Sequence, residues 1–235
     1  MRKFTCLAVL ILSLISCNNS SEKEVPDPVV YEEPMTYLAL GDSYTIGESV
    51  AEEERWPMQL VDSLQKKGVR IRDPKIIAKT GWTTADLLAG MDEQLENGVR
   101  YDLVSILIGV NNQYQGRSIE EYEQELRVIF DRALALSFPG KAGVFAVSIP
   151  DYGATPFGAS KSEEIAKEIE EFNAVFQKVA LEYGVDFYNI TPISKRAKDE
   201  PSLVANDGLH PSGEMYSLWV EEFLDEILAK VSSEI

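Results

Sequence analysis

Thr36-Tyr37-Leu38-Ala39-Leu40-Gly41-Asp42-Ser43-Tyr44-Thr45 is the stretch on which the fold turns. Tyr37–Leu40 is a short apolar run that stops at Gly41-Asp42-Ser43, residue types that favour turns. Such a run reads as a buried strand. The same reading applies to Val69–Ala78, which Pro74 interrupts, and to Leu103–Ile108, Ala142–Ser148 and Val185–Ile190. Helical stretches alternate with these runs at Arg55–Lys67, Thr84–Glu96, Ile119–Leu136 and Glu163–Tyr183, and a last one covers Gly213–Val231. In Ile119–Leu136, the apolar residues Tyr122, Leu126, Ile129, Phe130, Ala133 and Leu134 recur at helical spacing. Five strands separated by helices predict an α/β domain with a five-stranded, mostly parallel sheet covered on both faces. Ligands of such sheets bind outside the carboxyl ends of the strands, so the residues just after each strand are the ones to inspect.

The first 35 residues do not belong to this pattern. Met1-Arg2-Lys3 is basic, Phe4–Ile15 is almost wholly apolar, and polar Cys17-Asn18-Asn19-Ser20 follows. A membrane-spanning helix needs about 20 apolar residues, so residues 1–16 read as a secretory signal. Leu14-Ile15-Ser16-Cys17 resembles the lipobox of bacterial lipoproteins, which would leave Cys17 as a lipid-modified N-terminus. Residues 17–35 are acidic and carry three prolines, as expected of a tether, and the domain is expected over 36–235. The other cysteine, Cys6, would leave with the signal, so the mature chain could form no internal disulfide.

The formal net charge is −17, and loss of Arg2 and Lys3 with the signal makes it −19. That balance argues against nucleic acid as a partner and provides no basic patch for anionic lipid. Membrane attachment would then rest on the lipid at Cys17, with the protein exported and anchored at the cell envelope.

Four positions after the strands carry potential chemistry. Ser43 sits on the turn after the first strand, where it would be rigid and open to a substrate. The surrounding residues do not form the G-x-S-x-G elbow. His210 is the sole histidine and lies in Asn206-Asp207-Gly208-Leu209-His210-Pro211-Ser212. Asp207, three residues earlier, could orient its imidazole through a tight turn. One histidine and no mature cysteine other than Cys17 argue against a metal site. Gly109-Val110-Asn111-Asn112 ends the third strand and could supply an amide donor, while Gly81-Trp82-Thr83-Thr84 has a bare glycine N–H.

GDSYTIGE, TGWTT, GVNN and DGLHPS together resemble the first, second, third and fifth blocks of the SGNH hydrolases, the GDSL lipase/esterase family. The resemblance runs from about Leu40 to Ser212. It implies a flavodoxin-like three-layer sandwich, the SGNH hydrolase fold, with Ser43, Asp207 and His210 as a catalytic set. It further implies an oxyanion hole of the Ser43 and Gly81 N–H groups and the Asn111 amide. Asn112 stands where the family usually has aspartate.

The expected reaction is ester hydrolysis through an acyl-enzyme on Ser43, with His210 as base and no cofactor. Acylated carbohydrate, lysophospholipid and small acyl esters are all open as substrates, and an envelope location favours acyl or acetyl groups on carbohydrate or lipid. The acyl pocket is expected from loops at Gln113–Arg117 and Asp151–Ser160. Two other readings are a surface lipoprotein that binds glycan without catalysis and a flavodoxin-like binding module. The first needs a broken triad, and the second leaves the Asp-x-x-His loop without a purpose.

Overall fold

The computed structural model describes residues 33–232; the signal segment, Cys17 and most of the tether lie outside them. Five strands form one sheet: β1 (Tyr37–Asp42), β2 (Lys75–Lys79), β3 (Leu103–Leu107), β4 (Val144–Val147) and β5 (Asp186–Tyr188). Their order is β2-β1-β3-β4-β5 and every pairing is parallel, beyond the mostly parallel sheet expected. The helices are α1 (Ser43–Ile46), α2 (Trp56–Lys66), α3 (Thr84–Gln94), α4 (Val110–Tyr114), α5 (Ile119–Leu136), α6 (Ser162–Tyr183), α7 (Thr191–Ser194) and α8 (Gly213–Ser232). The chain runs from β1 outward to β2, then back across to β3 and onward, so the strand order reverses beside β1. With right-handed crossovers, α2 covers one face with α8, while α3, α5 and α6 pack in series on the other.

Burial explains the strand sequences. β3 and β4 are buried along their whole length, and both read as nearly unbroken apolar runs, LVSIL and VFAV. The one polar residue among them, Ser105, meets the Tyr37 hydroxyl at 2.8 Å. Helix α5 buries Tyr122, Leu126, Ile129, Phe130 and Ala133 on a single stripe; Leu134 is only partly covered. Between the other layer and the sheet, Trp56 of α2 packs edge-on to Phe223 of α8 and to Phe145 of β4.

Two expectations need correction. The second strand does not begin at Val69 but at Lys75. Pro74, which has no N–H to give a ladder, stands just before it, and Ile71 makes only an isolated bridge to Met35. The tether also ends sooner than expected. The Met35 N–H donates to the Arg70 carbonyl at 2.7 Å, and its own carbonyl accepts from the Arg72 N–H at 2.9 Å, so Met35 is part of the domain.

Gly90 of α3 is buried under Trp82, and a Cβ there would lie 2.1 Å from the indole Cη2. Glycine to alanine ordinarily gains up to about 1 kcal/mol in a helix, but overpacking costs about 1–3 kcal/mol, and here the second effect should win. Gly90→Ala is expected to lower stability by about 1 kcal/mol and to reduce the ester turnover that the family resemblance implies, because the shifted Trp82 adjoins Gly81. Thermal melts beside initial rates measure both; a more stable variant of unchanged activity would contradict this packing.

Candidate active site

Gly41 lets the end of β1 approach its surroundings. A Cβ there would lie 2.5 Å from the Leu107 carbonyl oxygen of β3 and 2.1 Å from Thr45 Oγ1. Only glycine allows β1 to turn into α1 so close to β3. Asp42 then caps α1, its Oδ1 accepting from the Tyr44 N–H at 3.0 Å. This places Ser43 at the first position of α1. Ser43 is 4% exposed, so it lies recessed in the floor of a cleft rather than open on a turn, as its sequence position had implied.

The Asp42 carboxyl has no exposure. Burial pushes it up to about 7, against hydrogen bonds from the Tyr44 N–H, its own N–H and the Asn111 amide, which pull it down.

At the end of β2, Gly81 adopts φ +83°, in the left-handed region. No atom lies within 4 Å of a Cβ built there, so glycine is needed for the backbone angle, not for space. After β3, Asn111 opens towards the same turn. Its Nδ2 donates to the Trp82 carbonyl at 3.0 Å, which sets the orientation of the amide. The second Nδ2 hydrogen has only a 3.5 Å contact with Asp42 Oδ2, too long to bind it firmly.

Asn112 shows what replaces the expected aspartate. It is buried, its Oδ1 accepts from the Thr84 N–H at 3.0 Å, and its Nδ2 donates to Thr84 Oγ1 at 2.6 Å. Thr84 Oγ1 in turn donates to Glu125. The hydroxyl hydrogen is therefore spent on Glu125, and residue 112 must supply a donor, which an ionised aspartate lacks. This pair ties the turn after β3 to the start of α3, just beyond Gly81.

His210 and Asp207 share a tight loop. The Ala205 N–H donates to the His210 carbonyl at 2.8 Å, and the Gly208 N–H donates to the Ala205 carbonyl at 3.0 Å. Asp207 Oδ1 accepts the Leu209 and His210 N–H groups, each at 2.9 Å. Oδ2 lies 2.6 Å from His210 Nδ1 and accepts the Ser49 hydroxyl at 2.7 Å. Partial burial alone would raise this carboxyl, but the bonds from His210, Leu209 and Ser49 together hold it well below the ordinary range. It is thus a carboxylate that accepts the Nδ1–H, which in the neutral imidazole puts the lone pair on Nε2. The Tyr44 ring packs against the imidazole at 5.2 Å and 55°.

Ser43, Gly81, Asn111 and His210 line one cleft of about 190 Å³; Asp207 stands behind His210. Thr80, Val110 and Leu209 also line the cleft, and the rest of its wall is aromatic. Tyr114, Tyr152 and Phe157 form a corner with ring centroids 6.1–6.3 Å apart. Tyr152 and Phe157 come from the expected Asp151–Ser160 loop, whereas Tyr114 is the last residue of helix α4, so the Gln113–Arg117 segment begins in a helix and not in a loop. Sequence reading missed the particular side chains, and it missed Ser49, which sits 158 positions from its partner and carries no local signal. It also missed what holds Tyr152: the phenol donates to Gln113 Oε1 at 2.8 Å, and Gln113 Nε2 donates to Glu168 at 2.6 Å.

The family model described as GDSL-like Lipase/Acylhydrolase matches residues 39–218. The chain is 27% identical over 227 residues to an arylesterase of Vibrio mimicus, spanning 94% of this chain and 96% of that protein. It is also 27% identical over 164 residues to a multidomain esterase of Ruminococcus flavefaciens, spanning 63% of this chain but only 20% of that protein's length. Among solved structures, TesA is 20% identical with a TM-score of 0.67, over 83% of this chain and 99% of that one. The acetylxylan esterase Axe2 of Geobacillus stearothermophilus is 22% identical with a TM-score of 0.61, over 83% and 94%. At those identities the two structures speak for the shared fold.

Two outcomes follow from the buried polar groups. Asn112→Asp should place a second acceptor against Thr84 Oγ1 and Glu125, lowering stability at neutral pH by about 1–3 kcal/mol. Denaturant unfolding should show that loss shrinking in acid, where the new carboxyl takes up a proton. An equal loss at every pH would contradict the donor assignment. For Asp42, the unfolded chain releases its proton near about pH 4, whereas the native group does so near 7. Between those values the native state binds the extra proton, so the Asp42 contribution to stability is full below about pH 4 and is lost as pH rises towards 7. Asp42→Asn should therefore remove a decline in melting temperature over that window; parallel profiles for the two proteins would contradict it.

Proposed function

Because the chain belongs to the GDSL-like lipase/acylhydrolase family and is a carboxylic ester hydrolase, we propose that it works through an acyl-enzyme on Ser43. The observation that carries this reading is the shared cleft of Ser43 and His210, with Asp207 oriented behind the imidazole. His210 Nε2 takes the Ser43 hydroxyl proton as Oγ attacks the ester carbonyl. The carbonyl oxygen gains the negative charge and is held by the Ser43 and Gly81 N–H groups and the loosely engaged hydrogen of Asn111. The tetrahedral species then expels the alkoxide, which receives the proton from His210. Water repeats the sequence on the acyl-enzyme, with His210 as base, and frees the acid.

The cleft narrows the substrate. No lysine or arginine lines it, so an anionic group next to the ester would find no partner there. Tyr114 and Phe157 are 60% and 51% exposed, an apolar surface that an ester group would cover. A cavity of about 150 Å³ accepts benzene, so about 190 Å³ suits an acyl or aryl group of that order. Our reading is a neutral ester with a compact apolar group, such as an acyl or acetyl ester of carbohydrate or lipid at the cell envelope. The arylesterase and acetylxylan esterase names of the relatives both fall within that range. Attachment through a lipid on Cys17 completes the proposal, and the mass of the mature N-terminus reads it directly. Intact Ser43, Asp207 and His210 tell against a purely glycan-binding protein.

A panel of neutral esters from acetyl to palmitoyl, with an anionic ester of matched acyl length, tests this reading. Activity is expected to be highest for short acyl groups and at least about tenfold lower for palmitoyl and for the anionic ester, with a fluorophosphonate labelling Ser43. Ser43→Ala should lose labelling and nearly all turnover. Label on another residue, or a preference for long or anionic substrates, would contradict the mechanism or the substrate class respectively.

A further inference from the structure

Ser49 is the one residue other than glycine with a positive φ, +68°, among the described residues. An L-residue is disfavoured there, and glycine or asparagine is the undemanding choice. What serine supplies at this position is its hydroxyl, which donates to Asp207 Oδ2 at 2.7 Å. That oxygen also receives His210 Nδ1 at 2.6 Å. With Ser49 on one side of Oδ2, His210 on the other and two backbone N–H groups on Oδ1, the carboxylate cannot rotate without losing bonds.

Glu48 extends the same turn to two other parts of the cleft. Its N–H donates to the Ser43 carbonyl at 3.0 Å, so the turn is built directly on the residue that bears the nucleophile. Its carboxylate accepts the hydroxyl of Thr80, the residue before Gly81. Three pieces distant in sequence, around residues 43, 80 and 207, therefore meet at two adjacent residues, the first through the Glu48 backbone and the others through the Glu48 and Ser49 side chains.

We propose that Glu48-Ser49 is a clasp that positions the Asp207–His210 pair and the Gly81 turn relative to Ser43, with Ser49 acting through Asp207 and Glu48 through Thr80. The assignment rests on the roles proposed above for Ser43, Asp207 and His210. It explains why a disfavoured backbone angle coincides with a hydrogen bond to the residue behind the base, the association expected where local strain serves a site. Ser49 and Glu48 touch no reacting atom; they are positioning residues.

The experiment uses the full-length enzyme and a short-chain neutral ester. Ser49→Ala and Ser49→Gly should each lower kcat on the order of fivefold with KM changed less than about twofold, because the lost bond acts on the base and not on substrate binding. Ser49→Gly should nonetheless melt about 2–4 °C above Ser49→Ala, since glycine accepts the positive φ freely. In an Asp207→Ala background, adding Ser49→Ala should cost less than about twofold more, because its partner is already gone. Glu48→Ala should keep its full effect in that background, since it acts through Thr80. Wild-type kcat in Ser49→Gly, or an equal cost of Ser49→Ala with and without Asp207, would overturn the Ser49 assignment. A Glu48→Ala variant of undiminished kcat would overturn the Glu48 one. If the wild type neither hydrolyses the ester nor labels at Ser43, the failure belongs to the underlying reading of the site and takes the clasp with it.

Discussion

The parallel pairing of β1 between β2 and β3 is the constraint on which the rest of this structure depends. Parallel strands point their carboxyl ends the same way, so Ser43, Gly81 and Asn111 emerge at one edge of the sheet although up to 68 positions separate them. The order reverses beside β1, and connections diverge from that point to leave a crevice. Gly41 makes the arrangement possible at close range: a side chain there would collide with the Leu107 carbonyl and force β1 away from β3.

The Asp207–His210 loop is not placed by any strand. Its position depends on bonds to neighbouring segments: the Gly208 carbonyl accepts the Phe157 N–H at 3.0 Å, while the bonds from the Leu209 and His210 N–H groups to Asp207 shape the loop locally. The bond from Ser49 is the link from the aspartate back to the segment that follows Ser43. A loop held in this way is sensitive to single substitutions that would be silent elsewhere on a surface.

Three buried polar groups around the cleft follow one rule in different settings, while the buried hydroxyl of Tyr44 on its wall has no hydrogen-bond partner. Asn112, Asp42 and Tyr152 are all buried, and each is matched to its partners: the amide to a donor-and-acceptor pair on Thr84, the carboxyl to the Tyr44 N–H, the phenol to Gln113. Tyr114 and Phe157 are the opposite case, aromatic groups left open in the cleft that Ser43 lines, while acidic residues outnumber basic ones in the chain as a whole. On the proposed reading, the acidic surface would disfavour anionic substrates and the rings would hold an uncharged ester.

The chain's own sequence determined the elements and their alternation, because a short apolar run between turn residues and an apolar stripe at helical spacing are local properties. Leu103–Ile108 and Ile119–Leu136 were legible for that reason, and Asp207 and His210 were legible as a pair because a three-residue separation lets one turn join them. Ser43, Gly81 and Asn111 were legible only through their blocks taken together and their places after strands. The extent of the second strand was not, since Pro74 decides where a ladder can start only once neighbours are in place. Nor was the Asn112–Thr84 exchange, the Gln113 support of Tyr152 or the Ser49 bond to Asp207. Each joins residues far apart along the chain, and a hydrogen bond depends on ångström-scale placement that tertiary packing alone supplies.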